Sequence, residues 1–129
     1  MNENGMDEFE KLLEIAKRKF VFDQTNSWYS GSDTYLSSMK DEIDEVIEEI
    51  PKNRQCYLED ELGDILWNYL NILLALEKES GIKVESVLNR ASAKYDERIT
   101  AIENGGFWKD VKHKQKLALS VEQGLAENE

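Results

Sequence analysis

The chain has 129 residues, the length of one ordinary domain, and its 16 Lys and Arg against 27 Asp and Glu leave a formal net charge of −11. That charge argues against a nucleic-acid or membrane-surface binder, since both partners are polyanions. One cysteine, Cys56, and one histidine, His113, make neither an intramolecular disulfide nor a zinc site. No apolar run approaches the roughly 18 residues of a membrane span. Glu3, Asp7, Glu8, Glu10 and Glu14 are the wrong chemistry for a signal peptide, so a soluble, cytoplasmic protein is expected.

With one proline and seven glycines, punctuation is sparse and long helices are expected. Phe9, Leu12, Leu13, Ala16 and Phe20 recur at steps of three and four, which predicts a first helix from about Asp7 to Val21. Gly31, Ser32 and Asp33 then supply a turn and cap candidates for a second helix. Its stripe is Leu36, Met39, Ile43, Val46, Ile47 and Ile50, and Pro51 stops it. A third helix runs from about Gln55 to Ser80, capped by Gly81. The fourth carries Val84, Val87, Leu88, Ala91, Tyr95, Ile99 and Ile102 and stops at Gly105-Gly106. Beyond Trp108 the chain is more polar and reads as a short helix with a frayed tail. No strand alternation or internal repeat is present. The expectation is one all-α domain over 1–129, an antiparallel bundle of four to five helices. Its core spans about 7–105, followed by a partly helical tail at 107–129.

On a wheel advancing about 100° per residue, with Leu58 at zero, the apolar residues of the third helix fill an arc from about 320° to 180°. Leu62, Ile65, Leu66, Trp67, Tyr69, Leu70, Ile72, Leu73 and Leu74 all fall there. An arc that wide predicts burial on several sides, hence a homo-oligomer with this helix near its centre. The narrow polar stripe left over holds Glu61, Asp64, Asn68 and Asn71 and reads as the helix's wet face.

Only a few residues around Pro51–Arg54 join helices two and three, so the pair should form an antiparallel hairpin. For a turn centred on Asn53, Glu45 is level with Glu61, and Glu42 is level with Asp64. Within each helix the two acids are three apart and share a face. Four carboxylates therefore converge, with Asp41 adjacent. Like charges this close raise one another's pKa or recruit a cation. Oxygen ligands without His or Cys suit Mg²⁺ or Mn²⁺, and such a centre implies phosphoanhydride cleavage. The plainer alternative is a solvated acidic face, as Asp44, Glu48, Glu49, Glu59 and Asp60 look to be. On the fourth helix Arg98 falls inside the apolar stripe and Lys94 at its edge. The two are either a phosphate clamp or, for Arg98, a structural ion pair with Glu61 or Asp64.

The tracts Asp41-Glu42-Ile43-Asp44-Glu45 and Glu61-Leu62-Gly63-Asp64 resemble the EExxE and ExxD motifs of the MazG nucleotide pyrophosphohydrolases, within the all-α NTP pyrophosphatase superfamily. Ala93-Lys94-Tyr95-Asp96-Glu97-Arg98 is similar to that family's later Lys/Arg helix. The resemblance covers roughly residues 28–104. It implies hydrolysis of nucleoside triphosphates at the α-phosphate, giving a monophosphate and pyrophosphate. It puts metal ligands at Glu42, Glu45, Glu61 and Asp64, and phosphate contacts at Lys94 and Arg98. It implies a dimer or tetramer with sites formed partly at the subunit interface. Trp28 stands roughly where the family has a tryptophan, to stack on a base or simply to pack in the core. Asp41 replaces the motif's first Glu, and Ser38 stands where some members carry a Lys. Glu45 and Asp41 are the candidates for taking the proton from the attacking water. The expected function is Mg²⁺-dependent (or Mn²⁺-dependent) hydrolysis of a standard, deoxy or modified nucleoside triphosphate. The alternatives are a phosphoribosyl-ATP pyrophosphohydrolase-like enzyme and a non-catalytic helical oligomerisation module.

Overall fold

The computed structural model describes residues 7–127. Among them the protein is all-α: α1 (Glu8–Asp23), α2 (Ser32–Glu49), a 3₁₀ turn at Ile50–Lys52, α3 (Gln55–Ser80), α4 (Val84–Glu103) and α5 (Trp108–Glu127). None of these helices is long and apolar enough to cross a membrane. The chain divides into two compact units, one ending at Val84 and the other beginning at Glu85. That boundary falls inside the single domain expected from length.

In the first unit, α1 starts where the Asp7 carboxylate accepts the Glu10 N–H at 2.8 Å, and it runs two residues beyond the expected Val21. The start of α2 is capped from across the hairpin. Glu79, near the end of α3, accepts the backbone N–H and the hydroxyl of Ser32, both at 2.7 Å. An anion there satisfies a helix N-terminus that has no side-chain cap of its own. Gly31 makes the approach possible: its φ is 79°, and a Cβ would stand 2.7 Å from Glu79 Oε2.

The other end of the hairpin is also tied. Asn53 takes the left-handed conformation at φ 57°, which Asn tolerates. Arg54 then donates from Nε and Nη2 to the two oxygens of Glu49, at 2.9 and 2.7 Å. Between these ties α3 packs on α2, and it also packs on α1. The buried core joins Ala16 of α1, Tyr35 of α2 and the continuous stretch Leu70–Ala75 of α3. Gly81, at φ 72°, ends α3 as expected, and Glu77 accepts the Val84 N–H at 2.8 Å where α4 begins.

The polar stripe of α3 is not its wet face. Asn68 and Asn71 are 4% and 2% exposed, whereas Leu62, Leu66 and Tyr69 are 49%, 36% and 39% exposed. The stripe turns inward because it carries Glu61 towards the acids of α2. Each Asn survives burial by donating its amide to a carbonyl one turn earlier, Asn68 to Asp64 and Asn71 to Trp67.

In the second unit, α4 and α5 are antiparallel and linked through side chains. Arg90 pairs with Glu122, and Gln115 bridges the Lys94 carbonyl and the Glu97 carboxylate at 3.0 and 2.8 Å. Gly105, at φ 86°, and the Gly106 N–H bonded to the Ala101 carbonyl at 2.8 Å end α4 as expected. The frayed tail is corrected: α5 is one helix of 20 residues. Its polar stretch is rich in Lys, Gln, Leu, Ala and Glu, all good helix formers, so polarity there reflects a solvated helix rather than a loose end.

Candidate active site

Residues Tyr35, Ser38, Glu42, Glu45 and Glu49 recur at steps of three and four along α2, so they share one face of that helix. At its middle, Glu42 and Glu45 meet Glu61 of α3. One carboxylate oxygen from each lies within 4.8 Å of the others. Glu42 Oε2 and Glu61 Oε2 are buried and have no hydrogen-bond partner. Buried polar atoms are normally paired, so two orphans in one cluster mark a place built for something else.

The electrostatics agree. Burial, a hydrogen bond to Glu45 and the charges of Glu45 and Asp64 push the Glu42 carboxyl up to about 7. Glu61 is raised too, first by the neighbouring Glu45 carboxyl and then by burial. Asp64 is raised by burial, then by the charges of Asp60 and Glu45. All three shifts combine burial with negative charge crowded nearby. Orphaned hard oxygens with no His or Cys among them fit a divalent cation of the oxygen-seeking kind.

The structure thus brings Glu42, Glu45 and Glu61 together. Asp64 is half-buried one turn further along α3, close enough to perturb Glu42 but outside the tight group. Asp41 is exposed on α2 and does not join the cluster. Trp28 is 55% exposed and meets the buried Tyr35 ring at 5.8 Å. Lys94 and Arg98 belong to the second unit. Arg98 is 6% exposed, and its partner there is not a carboxylate: its Nε donates to Gln115 Oε1 at 2.7 Å. Its guanidinium carbon lies 5.4 and 5.1 Å from the ring centres of Tyr95 and Trp108.

Sequence reasoning missed a second polar cluster in the first unit, made by Lys19, Asp23 and Tyr35. Asp23 is 1% exposed and accepts from both the Tyr35 hydroxyl and the Lys19 ammonium. The one legible signal was the i,i+4 spacing of Lys19 and Asp23, which any exposed helix pair shares.

Comparison with curated proteins and with solved structures gives no match. A family model does match, the MazG nucleotide pyrophosphohydrolase domain, over residues 30–102. That span is more than half of the chain and contains both acidic tracts together with Lys94 and Arg98. The chain therefore belongs to the MazG nucleotide pyrophosphohydrolase family, hydrolases that act on phosphoanhydride bonds.

Proposed function

We propose that the protein hydrolyses nucleoside triphosphates (standard, deoxy or modified) at the α-phosphate, releasing a nucleoside monophosphate and pyrophosphate. Glu42, Glu45, Glu61 and Asp64 would hold Mg²⁺, or Mn²⁺ in its place. The observation that carries this reading is the meeting of three carboxylates from two helices around two buried oxygens that lack partners. A bound divalent cation supplies Lewis-acid polarisation of phosphate oxygens and makes water a better nucleophile at neutral pH. Glu45, the most exposed of the three converging acids, or Asp41 beside them, takes the proton from the attacking water.

Lys94 and Arg98 contact the phosphates and offset charge on the departing pyrophosphate. Gln115 and the two aromatic rings hold the Arg98 guanidinium in a defined orientation for that role. Trp28 stacks on the base. The working form is a homodimer or homotetramer, supported by Leu36, Ile43, Ile47, Leu62, Leu66 and Tyr69, all of which one chain leaves exposed. Its setting is the cytoplasm, where nucleoside triphosphates are handled.

A panel of ribo- and deoxyribonucleoside triphosphates with Mg²⁺, scored separately for pyrophosphate and orthophosphate, tests the reading. Pyrophosphate with a monophosphate is expected, and turnover should vanish in excess chelator. Orthophosphate with a diphosphate left behind would contradict attack at the α-phosphate.

A further inference from the structure

We propose that Lys19, Asp23 and Tyr35 are positioning residues that hold the indole of Trp28 as a platform for the nucleobase. The inference rests on the triphosphate reading above and adds to it the parts that fix the base end of the site.

Trp28 has little of its own to hold it. The residue is 55% exposed, and it sits in the short connection between α1 and α2, where its backbone N–H donates to Asn26 Oδ1 at 3.2 Å. Two contacts define the ring. The Lys19 ammonium lies 4.7 Å from its centre, and the ring of Tyr35 meets it edge-on at 5.8 Å and 85°. Both contacting groups are fixed by one acid. Asp23, at the last turn of α1, uses one carboxylate oxygen for the Tyr35 hydroxyl and the other for the Lys19 ammonium. Lys19 also donates to the Tyr35 oxygen at 3.1 Å, closing a three-membered network.

Asp23 and Tyr35 are 1% and 4% exposed, so this network is part of the core, while the ring it steadies faces solvent. Burial and the Asp23 carboxylate push the Tyr35 phenol well above its ordinary value, so it stays a proton donor through the physiological range. A buried, fully satisfied polar network that ends on an exposed aromatic ring organises that ring for contact with something planar. With Lys19 and Tyr35 in place Trp28 is still 55% exposed.

The register supports the same assignment. Tyr35 and Glu42 are seven residues apart on α2, hence on one face and about 10.5 Å apart along the axis. That separation is of the order a nucleotide needs between its base and its α-phosphate. A base against Trp28 would thus lie toward the Tyr35 end of that face, with the acids further along it.

Steady-state kinetics on the best nucleoside triphosphate, with calorimetric binding of its α,β-imido analogue, test the proposal. Trp28→Ala should raise KM and the analogue's Kd about tenfold with kcat little changed, the usual scale of one stacked base. Tyr35→Phe keeps Asp23 paired with Lys19 but frees the network, and should raise KM about threefold at unchanged kcat. Lys19→Gln should behave alike, with Lys19→Arg restoring affinity. In the Trp28→Ala background Tyr35→Phe should have no further effect on KM, because its only route to the substrate is gone. If Tyr35→Phe lowers the melting temperature but leaves KM and Kd at the parent values, the proposal is overturned and base stacking stands. If Trp28→Ala itself leaves both unchanged, base stacking fails and the proposal with it. A Lys19→Gln protein that does not fold leaves the decision to Tyr35→Phe, whose hydroxyl loss is mild.

Discussion

A lone acid and a group of three lie along α2 and its neighbours, and the chain treats them oppositely. Asp23 is almost wholly buried, yet both its oxygens are used, one by a phenol and one by an ammonium. Glu42, Glu45 and Glu61 are less buried, yet two of their oxygens have no partner, and the carboxyls of Glu42 and Glu61 are pushed upward in pKa. Burial alone therefore does not separate the two; lack of a partner does. A satisfied buried acid contributes to the fold. An unsatisfied cluster works against the fold unless a ligand completes it.

Removing a charge should have opposite consequences at the two places. Glu61→Gln should cut hydrolysis at least about a hundredfold, as the loss of a ligand or its support does. In chelator its melting temperature should equal or exceed the parent's, since one source of repulsion is gone. Added Mg²⁺ should then raise the parent's melting temperature more than the variant's, because a ligand specific to the native state stabilises it according to its affinity. A large loss of stability in chelator with turnover retained would dissolve the contrast. Lys19→Met is the complementary case. It strands the Asp23 carboxylate with the Tyr35 hydroxyl alone and should cost about 2–3 kcal/mol, below the full value for a buried pair because Lys19 is part-exposed. Chemical denaturation in chelator checks this, and a loss under half a kcal/mol would show that Asp23 does not depend on its cation.

The smallest effect is in the pH profile. The Glu42 carboxyl stands at about 7 in the folded chain against an ordinary value of 4.5. Protonated Glu42 thus favours the fold, a contribution complete below about pH 4.5 and lost as the pH rises through about 7. In chelator the melting temperature of the parent should fall relative to Glu42→Gln across that window. With Mg²⁺ present the trend should weaken or reverse, since the cation binds the ionised acids. Parallel curves for parent and variant in chelator would mean that Glu42 feels no crowding.

The sequence made α3 legible at both ends because its punctuation is local: Pro51 before it and Gly81 after it act without help from distant residues. The converging acids were legible for a related reason. A short turn makes the register of a hairpin a matter of counting; the count pairs Glu45 with Glu61 and Glu42 with Asp64, and the structure gathers Glu42, Glu45 and Glu61 while Asp64 stays outside the tight group. What could not be counted was orientation about the axis. The polar stripe of α3 looked wet because it was polar, but Asn68 and Asn71 satisfy their amides on their own helix and so can face inward. The Lys19–Asp23–Tyr35 network was hidden because it depends on how α1 lies against α2, which no spacing within either helix encodes. At α5, solvation was mistaken for weakness, and the ties from Arg90 and Gln115 could not be seen one helix at a time.

Glu79 and Arg54 have a consequence beyond holding two helices together. One fixes the hairpin at its open end through Ser32, the other at its closed end through Glu49, and the carboxylates stand on the span between. A beam clamped at both ends can neither slide nor roll. A slip of one residue in α3 would turn Glu61 by about 100°, out of reach of Glu42 and Glu45. The clamps oppose that slip, so the repulsion among the acids is borne by the fold itself rather than relieved by spreading them apart. The cluster is preorganised: one oxygen of each of its three carboxylates stands within 4.8 Å of the others, so a cation that bound there would find little left to rearrange.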